Sequence, residues 1–418
     1  MPRVWVISEL YYPEESATGH ILTGIAEGLA RWFDVEVLCG QPNDRVRGLR
    51  APRSEERHGV RIMRCVASTL DKNIIAFRFI NLITISFSLF FRSLTLVQRR
   101  DVVLVVTNPP SLPFLVSIAC RMKGAPCVLI VHDVYPELAV RAGLFDERSV
   151  AALTVDVINR WLYRHVEKIV TLGRDMKGLV CSKVPGRESL ITIIPNWADL
   201  EEVRPLPRRD NPLLERLHLR DKFVVLYAGN MGRTHGIEDL VAAAALLAGH
   251  DDVRFLCVGG GAKKAWLERE IEKHGLSNVV VLPHHPRKEQ SVFLNACDIS
   301  MIPFVRGMVG VSVPSRMYNI FAAGKPVIAV ADTESELAMV VAEHNLGWII
   351  RPGSPDALAN AILAAREDRA GLTAMGKRAR RVMEEQNSFD HAIGLYRSLV
   401  SGLFVKSSSD KEVVDGRD

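Results

Sequence analysis

The residues best placed to do chemistry lie in two glycine-rich turns, each set between an apolar run and a helical one. The first spans residues 226–236, Leu-Tyr-Ala-Gly-Asn-Met-Gly-Arg-Thr-His-Gly, between the strand-like 223–228 and the alanine-rich 237–248. The second, Gly259-Gly260-Gly261-Ala262-Lys263-Lys264, follows 253–258 and opens a helical run ending near His274. A strand that ends in such a turn and feeds a helix leaves backbone N–H groups facing a pocket, and the helix dipole favours an anion there. Gly229, Gly232 and Gly236 let the chain approach that anion closely, while Arg233 and His235 can add charge. Neither turn is GxGxxG with an acidic ribose-binding residue, and no Gly-Lys-Ser/Thr appears. That disfavours a dinucleotide dehydrogenase and a P-loop nucleotidase. A diphosphate ligand is what remains.

A third candidate is the run 313–327. Pro314 at a helix start frees backbone donors, Ser315 and Arg316 occupy the first turn, and Asn319 can offer its amide to a sugar hydroxyl one turn in. Upstream, His132-Asp133 ends a hydrophobic strand, where polar residues face the crevice in which such sheets bind ligands. A loop after the first strand, with Tyr12 and a turn at Gly19, reaches the same end. No metal-spaced cluster emerges, since the adjacent His284 and His285 point apart. No metal is expected.

Apolar runs that position these residues predict strands at 4–8, 35–39, 60–66, 102–107, 127–132, 168–172 and 191–194, with helices between. A proline-punctuated stretch, with Pro205, Pro207 and Pro212, then reads as a linker. The pattern restarts with strands at 223–228, 253–258, 279–282, 299–302, 327–330 and 348–350, followed by helices at 372–385 and 390–404. Two such arrays predict an α/β protein of two Rossmann-like, doubly wound domains facing across a cleft. The expected division is 1–198, linker 199–221, second domain 222–386, a C-terminal helix 387–405 packing back on the first domain, and a disordered tail 406–418.

The 418 residues are 48% hydrophobic and 24% charged, ordinary for a globular protein of this size. Seven cysteines without a CxxC pair read as buried free thiols of a reducing compartment, and the start, Pro2 to Ile7, reads as a strand rather than a leader. A cytoplasmic location is expected. The basic excess lies in residues 1–198, 25 Lys/Arg against 19 Asp/Glu, and includes a run from Arg45 to Arg64. With few aromatics to stack on bases, that run suggests an anionic surface or phosphate-bearing acceptor rather than nucleic acid; a solvated loop is the plainer alternative. Residues 74–96 are dense in Phe, Ile and Leu, yet the longest uncharged run is too short and polar to cross a bilayer. At helical spacing, Arg78, Asn81, Thr84, Ser88 and Arg92 share one face and Phe79, Ile83, Phe87, Phe90 and Leu94 the other. Such a helix either lies in a membrane interface or packs on its own domain.

Together these residues resemble glycosyltransferase family 4, the retaining GT-B enzymes that use nucleotide-sugar donors. The likeness covers about residues 3–400 and is densest over 226–353. Within the family, the turn Gly229–Gly232, the run Val313–Arg316 and the run Ala322–Pro326 look closest to bacterial O-antigen, capsule and exopolysaccharide enzymes, the subgroup with N-acetylfucosamine transferases. The wider family places Gly-Arg at the start of the first turn and Lys-Gly at its end; here Gly229-Asn230 and His235-Gly236 stand there. Diphosphate charge must then be met by Arg233, with Lys263, Lys264 and Arg316 as further cations. The family's two glutamates, separated by seven residues, fall at Val311 and Asn319; Asn319 can still bond a ribose hydroxyl, joined by His284 near the base.

What the resemblance implies is retaining transfer from a UDP-sugar, without metal or other cofactor, to a polyprenyl-diphosphate-linked saccharide at the cytoplasmic face of the inner membrane. By it, Arg233 stabilises the leaving diphosphate, His132 meets the donor sugar or its phosphate, and Asp133 orients the acceptor. Backbone N–H groups of Gly229–Gly232, Gly259–Gly261, Ser312 and Val313 would contribute donors. A nucleotide-sugar 2-epimerase of the same architecture and a non-catalytic nucleotide-sugar-binding subunit are the alternatives.

Overall fold

The computed structural model describes residues 3–42, 50–68, 70 and 75–412, with Ile75, Ala76, Arg78, Phe79 and 406–412 traced by backbone alone. The chain divides into two compact units. One holds the residues up to Pro136, Arg148–Pro195 and those from Asp390 onward; the other holds Glu137–Glu147 and Asn196–Phe389.

The first unit is built on strands β1 (Arg3–Ile7), β2 (Asp34–Cys39), β3 (Ser54–Arg57), β4 (Val60–Arg64), β5 (Val102–Val106), β6 (Cys127–Val131), β7 (Lys168–Thr171) and β8 (Ile191–Ile193). Their order is β3-β4-β2-β1-β5-β6-β7-β8, parallel throughout except for the β3–β4 pair. Every residue of β5 and β6 is buried, because helices cover both faces of a parallel sheet and alternation is lost. Right-handed crossovers put the helices Ile75–Leu96, Leu112–Lys123 and Val150–His165 on one face and Ala17–Leu29 on the other. The last helix, Phe389–Glu412, packs beside Ala17–Leu29. A Cβ on Gly28 would lie 2.7 Å from the Ile393 side chain, and the Phe33 and Phe404 rings are 5.6 Å apart.

The second unit carries six parallel strands, β9 (Phe223–Asn230), β10 (Val253–Gly260), β11 (Val279–Leu282), β12 (Ile299–Pro303), β13 (Val327–Val330) and β14 (Gly347–Ile350), ordered β11-β10-β9-β12-β13-β14. Phe223, Val225, Tyr227, Phe255 and Ile328 pack with Leu358 and Ile362 of the helix Pro355–Glu367 in one core. The strand order reverses between β9 and β12, and the carboxyl ends at that reversal are where open α/β sheets bind ligands.

Several expectations are corrected. Part of the basic run forms the β3–β4 hairpin, with Ser54 opposite Met63. Arg57 pairs with Glu27, Arg61 with Glu36 at 2.8 Å, and the buried Arg64 with Glu55, so these arginines are neutralised within the unit. Arg45 and Arg47 lie outside the described residues. The proline-rich linker contains a helix, Pro212–Arg216, that buries Leu213 and Leu214. Residues 406–412 continue the last helix where a disordered tail is expected, and 413–418 lie outside the described residues. Gly19 is inside the first turn of Ala17–Leu29, donating its N–H to the capping Ser16 Oγ at 3.2 Å, rather than in a loop.

The helix Ile75–Leu96 is turned differently from the expected division of faces. Asn81 is buried: its Oδ1 accepts from Ser68 Oγ (2.8 Å) and Leu70 N (3.0 Å), and its Nδ2 donates to Leu70 O (2.8 Å). Ser86 bonds Ser111 at 2.9 Å, and Ser93 is buried against Leu89 O. Phe77, Ile80, Ile83, Phe87 and Phe91 form the outward stripe, 36% to 59% exposed. Much of the polar side faces the protein. Ile74 and the side chains of Arg78 and Phe79 lie outside the described residues.

Candidate functional site

The two glycine turns of the second unit lean on each other. β9 and β10 run in register through Gly229–Gly259 and Asn230–Gly260, so the strands extend into the turns. A Cβ on Gly259 would lie 2.0 Å from Gly229 O, and one on Gly261 would lie 2.5 Å from Asn230 Oδ1. Both residues have positive φ, +147° and +138°. Met231 N donates to Gly260 O at 2.7 Å and Lys263 N to Met231 O at 2.9 Å. These glycines are therefore required by turn-to-turn contact, and the Met231 and Lys263 amides are already engaged.

Arg316 reaches this junction from the start of the seven-residue helix Arg316–Ala322, whose preceding Ser315 makes no side-chain cap. Its guanidinium lies 5.2 Å over the Tyr227 ring and sends Nη1 to Ala228 O and Nη2 to Asn230 O, each at a long 3.4 Å. A Cβ at Gly229 would meet it at 3.1 Å. Tyr227 Oη donates to Asn230 O at 2.6 Å, which fixes the ring beneath the cation. His235 Nε2 is 2.6 Å from Arg316 Nη2, and Gly232 N donates to His235 Nδ1 at 3.2 Å. The imidazole stacks on Phe304 at 5.8 Å, and burial, followed by the Arg316 charge, holds its pKa well below the ordinary histidine range.

The other expected cations divide. Lys263 Nζ donates to His235 O at 2.7 Å and is neutralised by Glu238, and Lys264 lies near Glu268. Arg233 is exposed beside the turn. In the segment just before Arg316, Ser312 is half-buried and Val311, Val313 and Pro314 are buried. The Asn319 amide is partly used: its Oδ1 accepts from Asp199 N at 2.8 Å and its Nδ2 donates to Gln290 at 3.3 Å. Each atom keeps capacity for one further partner, a second lone pair on Oδ1 and a second N–H on Nδ2. His284 is exposed beyond the edge strand β11.

In the first unit, Thr107 Oγ1 accepts from the backbone N–H groups of both His132 and Asp133, at 3.1 and 3.2 Å, which holds the end of β6 beside β5. His132 is 8% exposed, its Nε2 makes no hydrogen bond, and burial lowers its pKa to about 4. Asp133 is half-buried. Tyr12 carries the Arg57 guanidinium 4.0 Å over its ring.

The sequence model described as Glycosyl transferases group 1 matches residues 215–382, and that described as Glycosyl transferase 4-like domain matches 17–197. The probable glycosyltransferase WbjE of Pseudomonas aeruginosa is 34% identical over 295 residues, 70% of this chain and 72% of the relative. The chain belongs to glycosyltransferase family 4. The enzyme is also 26% identical to the candidate colanic acid biosynthesis glycosyl transferase WcaI of Escherichia coli K12, over 64% of its own length and 66% of that relative. Its fold is GT-B: the solved structure of Anabaena Alr3699/HepE with UDP-glucose superposes with a TM-score of 0.74 at 17% identity, over 96% of this chain and all of the other.

Sequence reasoning about the glycosyltransferase left out Tyr227, Phe304 and Glu238. Tyr227 interrupts the aliphatic run before Gly229, and an aromatic there is a readable signal for a stacked cation. Phe304 and Glu238 carry no such signal.

Proposed function

We propose that this glycosyltransferase moves a sugar of the N-acetylated hexosamine or deoxyhexosamine class, with retention, from a UDP-sugar to a polyprenyl-diphosphate-linked saccharide. The step belongs to cell-surface polysaccharide assembly at the cytoplasmic face of the inner membrane. The observation that carries this reading is the Arg316 guanidinium, stacked on Tyr227 and poised at Gly229 where the two glycine turns meet. A preorganised cation beside backbone donors suits a leaving diphosphate, and no metal is part of the proposal. The HepE complex with UDP-glucose supports the nucleotide. The polysaccharide role named for WcaI supports the pathway class.

The local hydrogen bonding supports a specific division of labour. A neutral imidazole offers one acceptor nitrogen. His235 is therefore able to satisfy Gly232 N–H or Arg316, but not both, and a diphosphate oxygen would take the one released. As the donor C–O bond breaks, the acceptor hydroxyl attacks the same face and passes its proton to the departing diphosphate oxygen, while Arg316 meets the charge developing on the diphosphate. Arg233 is the second cation. His132 and Asp133 keep the roles implied by the family, toward the donor sugar and the acceptor hydroxyl.

Attachment to the membrane is assigned to the helix Ile75–Leu96, whose outward stripe is wholly apolar at Phe77, Ile80, Ile83, Phe87 and Phe91. Among the described residues no helix is long and apolar enough to cross a bilayer. The test is titration with UDP, followed by transfer from UDP-sugars to polyprenyl-diphosphate saccharides. Binding at micromolar to millimolar UDP that Arg316→Ala weakens is the expected result. Binding unaffected by that substitution overturns the assignment of the site.

A further inference from the structure

We infer that the membrane-binding surface of the N-terminal unit is wider than one helix: Val150–His165 supplies a second apolar stripe, and the combined face selects an anionic bilayer. This rests on the membrane attachment proposed above and names its partner. The helices Ile75–Leu96, Leu112–Lys123 and Val150–His165 pack in that sequence over one face of the eight-stranded sheet. Helices packed side by side on one sheet face turn their outer sides the same way.

On Val150–His165 the outer side is apolar. Val150, Leu153 and Val157 recur at spacings of three and four and are 81%, 56% and 66% exposed. On the inner side of the same helix, Ala152, Asn159, Leu162 and Tyr163 are buried. Met122, at the end of the intervening helix Leu112–Lys123, is also largely exposed. Exposed apolar residues that recur on one side of a helix mark an interaction surface, whereas scattered single residues would not.

Charge decides the occupant. The three helices carry Arg78, Arg92, Arg121, Lys123, Arg160 and Arg164 against one acid, Asp156. That acid is itself neutralised by Arg160 and Lys183, each at 2.6 Å. Arg92, Arg121 and Arg164 are exposed. Apolar stripes accompanied by the exposed cations Arg92, Arg121 and Arg164 fit the headgroup region of a bilayer rich in anionic lipid, where each basic residue adds attraction. A protein partner would have to present an acidic rim around an equally long apolar ridge.

The test uses the full chain with vesicles of phosphatidylcholine alone and with phosphatidylglycerol added, read by co-sedimentation. Wild type is expected on the phosphatidylglycerol vesicles, and the double substitution Leu153→Asp with Val157→Asp is expected to cut that binding at least about tenfold. Both side chains are more than half exposed, so melting temperature and UDP affinity should stay at wild-type values. Wild-type binding by the double variant overturns the second stripe while leaving attachment through Ile75–Leu96 standing. Equal binding to the two vesicle types overturns anion selection. Failure of wild type to bind either vesicle removes the underlying attachment as well. A shift from dimer to monomer in the variant, with vesicle binding unchanged, would make the face a self-association surface and overturn the proposal.

Discussion

Arg316 Nη2 lies 2.6 Å from His235 Nε2, across 81 residues of sequence, and the two side chains meet over the first glycine turn. The histidine is held neutral by burial and by that guanidinium, so the pair carries a single positive charge, on Arg316. Removing a preorganised donor to developing charge costs roughly 3–4 kcal/mol, or 10²–10³ in rate. Arg316→Ala should therefore lower kcat by at least about a hundredfold, and Arg316→Lys should recover only part of it, because the planar fork over Tyr227 is lost. Steady-state kinetics on a UDP-sugar checks this. A kcat for Arg316→Ala within threefold or so of wild type would sink the role.

Arg233 is exposed beside the same turn. Its contribution should be smaller than that of Arg316, since an unconstrained cation in water is screened and must be ordered on binding. Arg233→Ala is expected to lower kcat/KM by about tenfold, with the loss shrinking as salt rises. A loss that ignores ionic strength, or that exceeds the loss in Arg316→Ala, would reverse the ranking of the two arginines.

Burial lowers His132 from its ordinary 6.5 to about 4. Its folded-state pKa is depressed, so between those values the unfolded chain binds the proton and the folded chain does not. Stability is full above pH 6.5 and falls as pH drops toward 4, by up to about 3 kcal/mol. His132→Asn should flatten that part of the pH profile of the melting temperature. His235 contributes to the same acid-side slope, so the difference between wild type and variant isolates His132. Identical slopes would mean that His132 is not buried in its neutral form.

Much of this architecture was legible in the apolar runs. Strands such as Val102–Val106 and Val253–Gly260 announce themselves because a sheet covered on both faces needs no alternation. The strand Ser54–Arg57 does not, since all four residues are polar and only pairing with Val60–Arg64 makes them extended. The glycine turns were readable as turns, but why Gly259 and Gly261 are glycine was not. That depends on how closely one loop approaches the other. Likewise, periodicity gave Ile75–Leu96 as amphipathic yet could not say which side faces inward, because Asn81 is satisfied by Ser68 and Leu70 outside the helix. The Arg316–His235 contact is a tertiary fact with no local signature.

The glycines of the second turn give a paired test. At Gly259, φ is +147° and a Cβ would lie 2.0 Å from a backbone oxygen that cannot move aside. At Gly260, an added Cβ meets nothing within 4 Å. Gly259→Ala should destabilise the second unit by more than about 2 kcal/mol and abolish UDP binding, while Gly260→Ala should stay within about 0.5 kcal/mol of wild type. Thermal denaturation with and without UDP reads both. Equal effects of the two substitutions would show that the turns do not abut as described.

The orientation of Ile75–Leu96 can be read from two substitutions six residues apart. Asn81 makes three hydrogen bonds in a buried position, and truncating it leaves the Leu70 N–H and C=O without this partner, while Ser68 keeps Thr84. Asn81→Ala should cost about 1–3 kcal/mol. Phe87 is nearly half exposed, so Phe87→Ser should leave stability within about 0.5 kcal/mol of wild type. The serine variant should instead lose vesicle binding and gain solubility, because it removes a large apolar group from the outward stripe. Melting curves and sedimentation with vesicles separate the two effects. Were Phe87→Ser to unfold the unit as Asn81→Ala does, the phenylalanine would belong to the core, and the helix would offer no face to a membrane.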